Sequence, residues 1–222
     1  MDLTRPYLVV MGDLVGSSEY DPAQRHALQL RFHDALARLK AARGDSLVAG
    51  PAINAGDEFQ AVLADPALVP DLAWDLHELL DGPRLRIGVG LGAIYTAPDD
   101  DVRHMDGPAF HAARRALEAA KRNRELAPLF QGFGESRDRV LDGLGALLEC
   151  HRARLTPRQH DVCRLLRLGH AQEAAARELG VSKQMVSEHA KRAGWRQYRA
   201  GEQALREALA LFSHAEDGRL SA

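Results

Sequence analysis

The chain has 222 residues, 45% hydrophobic and 27% charged, with a formal net charge of −2, the balance of an ordinary globular protein with room for one large domain or two small ones. No stretch approaches the roughly 20 apolar residues of a membrane span, and the N-terminus lacks a signal-peptide pattern, so no membrane association and a cytosolic, cytoplasmic location are expected. The charge is unevenly placed: His151 to Ala222 hold 13 Lys and Arg against 8 Asp and Glu, which is +5 and leaves −7 for the first 150 residues, and this predicts two domains, the second with an affinity for polyanions.

In chain order, Tyr7 to Met11 form a short apolar, β-branched run suited to a buried strand. A helix follows, with Asp21 as cap, Pro22 in the first turn, Leu28, Phe32, Leu36 and Leu39 at helical spacing, and Gly44 as its stop. "SLVAGPAINAGDEFQAVLAD" reads as two strands around the turn "NAGD". "PALVPDLAWDLHELLDG" is a second helix, and "RLRIGVGLGAIYTA" a long strand whose alternating glycines leave one face open to a close neighbour. "DGPAFHAARRALEAAKRN" makes a third helix, "APLFQGFG" an edge strand, and "ESRDRVLDGLGALLECHRAR" a helix leading out of the domain. Cys150 and Cys163 have no partners at metal-site spacing and are read as reduced core or surface residues.

Strand, helix, strand, strand, helix, strand is the split βαβ order of an α+β, ferredoxin-like palm. In that topology the C-terminal end of the first strand neighbours the hairpin tip, so Asp13 and Asp57, each preceded by Gly, should meet. Two adjacent carboxylates repel unless one is protonated or a cation lies between them. Mg²⁺ suits such a pair, with phosphate oxygens and water completing its octahedron. The loop after Asp13, with Val15, Gly16, Ser17 and Ser18, offers backbone N–H groups near a helix N-terminus, where phosphate is stabilised. Gly-Asp is also ordinary turn chemistry, which is the competing structural reading.

"LVVMGDLVGSS", "NAGDEFQAVL", "RLRIGVGLG" and "DGPAFHAARRAL" resemble, in order and spacing, the palm of class III nucleotidyl cyclases, and "GDEF" is similar to the diguanylate cyclase motif. The chain more closely resembles the SatD family, a degenerate palm of this kind, over roughly residues 7–123. That resemblance implies metal-binding roles for Asp13 and Asp57. It places His111 at the position of a cyclase Asn and Arg115 at that of a phosphate-binding Arg, with Arg114 adjacent. It also puts Ile53 and His104 where cyclases carry base-selecting residues, so the usual purine recognition is missing.

The second half resembles the helix-turn-helix of LuxR-type regulators and of sigma factor region four: "QEAAARELG" as first helix with small Ala176 at the crossing, Gly180 as turn, Val181 and Val186 as core plugs, and "SKQMVSEHAKRAG" as recognition helix. Gln184 and Ser187 are the candidates for base edges, and Lys183, Lys191, Arg192 and Arg196 for phosphates. Trp195 is expected to pack the end of the domain, and "AGEQALREALALFSHAEDG" to form an amphipathic helix that covers this core or pairs with a second chain.

The expected organisation is a palm at 1–134, a connecting helix at 135–154 and an all-α DNA-binding domain at 155–222. The leading functional expectation is a homodimeric DNA-binding regulator whose palm binds a nucleotide with Mg²⁺. An active metal-dependent cyclase or nucleotidyl transferase, and a palm kept only as a dimerisation scaffold, are the alternatives.

Overall fold

A computed structural model describes residues 5–17, 20–80, 84–96, 99 and 101–214. The first strand, β1 (Tyr7–Leu14), leads into α1 (Pro22–Arg43), then β2 (Leu47–Ala55), β3 (Glu58–Leu63), α2 (Val69–Leu80) and β4 (Leu85–Gly92). After these come α3 (Pro108–Asn123), β5 (Leu129–Gln131), α4 (Glu135–Arg152), α5 (Pro157–Arg167), α6 (Gln172–Leu179), α7 (Lys183–Arg192) and α8 (Trp195–His214). The fold class is α+β, as expected. No helix among the described residues is long and apolar enough to cross a membrane.

The chain divides into two compact units, one running to Ala146 and resuming at Leu205, the other Leu147–Ala204. The first unit is built on a five-stranded sheet ordered β2-β3-β1-β4-β5. β1 is central and antiparallel to both β3 and β4, and β5 adds to the edge parallel to β4. Because side chains alternate along a strand, the register places Tyr7, Val9 and Met11 on one face, opposite Gly92, Gly90 and Gly88 of β4. Tyr7, Val9, Met11 and Val62 form a buried cluster with Ala109, Phe110, Ala113 and Leu117 of α3. On the opposite face Phe32 of α1 meets Phe59 edge-on, with centroids 6.0 Å apart.

α3 lies against β4 backbone to backbone. A Cβ at Gly88 would meet the main chain of Ala113 and Leu117, and one at Gly90 that of Ala109, Ala112 and Ala113. The expected long fourth strand ends at Gly92, because the backbone beyond it turns to the start of α3: Ala109 N donates to Ala93 O at 3.2 Å and Tyr95 N to Asp106 O at 2.9 Å.

α4 and α8 each contribute to both units. The start of α4 belongs to the sheet: Asp142 accepts from Phe130 N at 2.8 Å and Asp138 from Phe133 N at 3.0 Å. The last turns of α8 belong to the first unit too, where Arg206 pairs with Asp71 at 2.7 Å and Arg137 lies over the Phe212 ring. α8 begins five residues before the expected amphipathic run, directly after Gly194.

In the second unit α5 opens with a reciprocal cap between Thr156 and Gln159. α6 ends at Gly180 in the left-handed conformation (φ 63°), and Ser182 caps α7. Val162, Leu165, Ala175, Ala176, Val186 and Ala190 are the core, with Val181 and Trp195 packed against it.

Two glycine substitutions test the packing in opposite directions. Gly90→Ala should lower stability by about 3 kcal/mol or more, since the added methyl meets main chain that cannot yield. Gly143→Ala, in α4 where an added Cβ meets nothing within 4 Å, should raise it by roughly 1 kcal/mol. Urea unfolding midpoints measure both.

Candidate functional site: a charged edge of the sheet and an exposed helix face

Asp13 stands at the end of the stripe Tyr7, Val9, Met11, on the α3 face. Its ladder neighbours are Glu58 on β3 and Arg86 on β4. The hairpin tip is tied to this strand end: Leu14 N donates to Asp57 O at 3.2 Å and the Ser17 hydroxyl to the Asp57 carboxylate. Asp13 and Asp57 are therefore close, and the Asp57 charge acts on the Asp13 carboxyl.

Two cations from α3 lie over this edge. Phe110, Arg114, Leu117 and Lys121 recur at spacings of four, three and four, so they share one side of the helix. Lys121 Nζ is 3.0 Å from Asp13 Oδ1 and 3.5 Å from Glu58 Oε2, and Arg114 donates to Glu58 Oε1. The Asp13 and Glu58 side chains are only 13% and 12% exposed. Burial pushes the Asp13 carboxyl above its ordinary range and the charges of Asp57 and Glu58 add to this, while the hydrogen bond and charge of Lys121 oppose it. For Lys121, burial works to lower the pKa, but the hydrogen bond and charge of Asp13, aided by Glu58 and Glu118, hold it above the ordinary value.

The other candidate phosphate contacts are engaged elsewhere or exposed. Val15 N donates to Arg84 O at 2.8 Å, and Gly16 makes a left-handed turn (φ 75°). Ser18 lies outside the described residues. The α1 N-terminus is satisfied by its own chain: Asp21 accepts from Gln24 N at 2.9 Å, and the Gln24 side chain accepts from Asp21 N at 3.3 Å. His111 is exposed, 3.3 Å from Asp106 Oδ1, and Arg115 is exposed. Of the base-selecting positions, Ile53 lines a cavity of about 350 Å³ with His33, Leu36 and Lys40, whereas His104 faces Asp99 at 3.1 Å.

Among the described residues no group of three or more His, Cys, Asp or Glu side chains is arranged to hold a metal ion. The donors do not suit a divalent cation: Asp13 is held by an ammonium, Glu58 by a guanidinium and Asp57 by a hydroxyl. Sequence reading missed Glu58 and Lys121. The seven-residue step from Arg114 to Lys121, at the rim of an alanine-rich buried stripe, is the signal that marks the second.

In the second unit Lys183, Gln184, Ser187, Lys191, Arg192 and Arg196 are all exposed. Lys183 pairs with Glu173 at 2.5 Å and Arg192 with Glu188 at 2.8 Å. Met185, 48% exposed beside Gln184, adds an apolar contact point that sequence reading passed over.

The ion pairs of the sheet edge predict a pH dependence. Lys121→Met leaves Asp13 without its ammonium and should cost roughly 1–3 kcal/mol at neutral pH. Because the folded-state pKa of Lys121 is raised above 10.5, its contribution is fully present below pH 10.5. It is then lost as pH rises through the raised value. The stability difference between wild type and Lys121→Met, measured by urea unfolding from pH 7 upward, should hold and then shrink across that alkaline window.

The sequence profile of the SatD family matches residues 7–162. No curated protein matches the chain. Among solved structures, a bacterial light-regulated adenylyl cyclase is 16% identical, over 57% of this chain and 75% of that one, with a TM-score of 0.44. A regulator of polyketide synthase expression from Bifidobacterium adolescentis is 14% identical, over 96% of this chain and 86% of that one, with a TM-score of 0.25. The profile match takes in every strand of the sheet, α1 to α4 and the start of α5, and the chain belongs to the SatD family.

Proposed function

We propose that this SatD-family chain is a DNA-binding regulator, with a helix-turn-helix in its second unit and a nucleotidyl-cyclase-like, ferredoxin-like palm as its first. The exposed polar face of α7 carries the reading. Ser182 starts that helix after the left-handed turn at Gly180, Val186 and Ala190 hold it to a buried core, and Gln184, Ser187 and Lys191 fall on the side away from that core. A helix so held presents its first turns to the major groove, with base-edge donors flanked by phosphate contacts. The net charge of +5 from His151 onward supplies the attraction to the polyanion.

The palm reading is supported by the strand order, in which β1 lies between β3 and β4 with every neighbour antiparallel. Its proposed ligand is a nucleotide, whose phosphates meet the adjacent Arg114 and Arg115. Arg114 binds a carboxylate oxygen of Glu58 through one guanidinium nitrogen, and its remaining N–H donors can meet phosphate oxygens while that pair is kept. Catalysis is not part of the proposal, because both acids that a metal-assisted transfer requires are engaged within the chain. A homodimer would bring two α7 helices to half-sites one helical turn apart, about 34 Å.

The test is selection from a random duplex pool, followed by fluorescence anisotropy of the selected site over a range of salt. Lys191→Ala and Arg196→Ala should each weaken binding across sequences and reduce the salt slope by about 1, whereas Gln184→Ala should relax the preference at particular base pairs by about 1–3 kcal/mol. Affinity unchanged in all three variants would remove α7 as the reading helix. Equal DNA affinity with and without nucleoside triphosphates would remove the regulatory role of the palm.

A further inference from the structure

The acidic edge of the first unit contains three carboxylates, Asp13, Asp57 and Glu58, and three cations, Lys121, Arg114 and Arg86. In the sheet Glu58, Asp13 and Arg86 form one cross-strand row on the α3 face, and α3 sets Lys121 and Arg114 over it. Lys121 Nζ bridges two of the acids, at 3.0 Å from Asp13 and 3.5 Å from Glu58. Bridging two carboxylates is what a divalent ion does in a two-acid palm, but Mg²⁺ needs oxygens at about 2.0–2.1 Å in a near-octahedral set. An ammonium at hydrogen-bonding distance satisfies the charge while occupying the space. It is also tethered, so it competes with a free ion at the high effective concentration of an intramolecular group.

We propose that Lys121 is the built-in counterion of this edge: it replaces the divalent cation, keeps Mg²⁺ out, and leaves the unit to take a phosphate-bearing ligand without metal. The inference refines the palm reading and is independent of DNA binding.

A second observation points to an anion. Arg86 Nε is buried and has no hydrogen-bond partner among the described residues, although its strand neighbour Asp13 is directly opposite in the ladder. A buried N–H without an acceptor is costly. A phosphate oxygen that reached Arg86 would satisfy this N–H.

The experiment is titration of the full chain with Mn²⁺ alone, followed by the loss of the free-ion paramagnetic resonance signal, for wild type, Lys121→Met, Lys121→Arg and Asp13→Asn. Wild type and Lys121→Arg should leave the signal of free Mn²⁺ unchanged. Lys121→Met, with its fold checked by circular dichroism, should bind Mn²⁺ at least roughly tenfold more tightly than wild type. Binding by wild type that disappears in Asp13→Asn would overturn the proposal whatever the behaviour of the lysine variants. A folded Lys121→Met that binds no better than wild type would overturn the role of Lys121 in excluding the metal. None of these readouts depends on DNA or on nucleotide, so failure of the proposed function leaves the result interpretable.

Discussion

Everything in the first unit depends on how closely α3 approaches β4. Without side chains at Gly88 and Gly90, the helix main chain sits where Cβ atoms would otherwise be. The small residues Ala109, Ala112, Ala113 and Ala116 meet it with a matching surface. This approach has an electrostatic consequence as well as a packing one. It brings the rim of the helix within hydrogen-bond reach of carboxylates on β1 and β3, so Lys121 and Arg114 complete the charge of the sheet edge instead of extending into water. Larger side chains on either surface would lift the helix, and the acids would need another counterion.

The two units use charge in contrasting ways. In the first, Asp13 and Glu58 are largely withdrawn from solvent and have cations of their own chain. The second unit also contains such a network, since Glu202 is fully buried between Arg167 and Arg199. Its α7 face is different: Gln184, Ser187 and Lys191 stay exposed, and the pairs Lys183–Glu173 and Arg192–Glu188 lie at the surface. Exposed pairs of this kind are worth about 0–1 kcal/mol and exchange readily for a phosphate. Partly buried ones resist exchange, because removing one partner leaves an uncompensated charge behind. The exposure of the α7 pairs therefore fits the polyanion proposed for that face, and the burial of the sheet-edge pairs fits the proposed exclusion of simple cations.

Much of the fold was legible from local chemistry. The Asp21 cap followed by Pro22, the hairpin around Gly56 and the turn at Gly180 each rest on a few adjacent residues whose backbone preferences are strong. The glycine alternation of β4 also announced a close neighbour before that neighbour was known. The length of β4 was not legible: the apolar pattern continues through Ile94, but its backbone partners beyond Gly92 come from the start of α3. Nor was the start of α8, because Trp195 and Tyr198 form part of the second unit's aromatic packing as well as of a helix.

The sequence by itself determined the elements, their order, the meeting of two Gly-Asp turns at one sheet edge and the polar face of α7, because each follows from periodicity, capping or turn preference within a short window. Only the tertiary structure decided what those acids meet. Lys121 is more than a hundred residues from Asp13 along the chain, and nothing near either residue names the other. Their pairing arises from a strand register, a helix phase and a glycine-lined contact acting together. A local pattern can specify that a carboxylate reaches an edge, but its counterion is set by whichever charge the packed chain brings within about 3 Å.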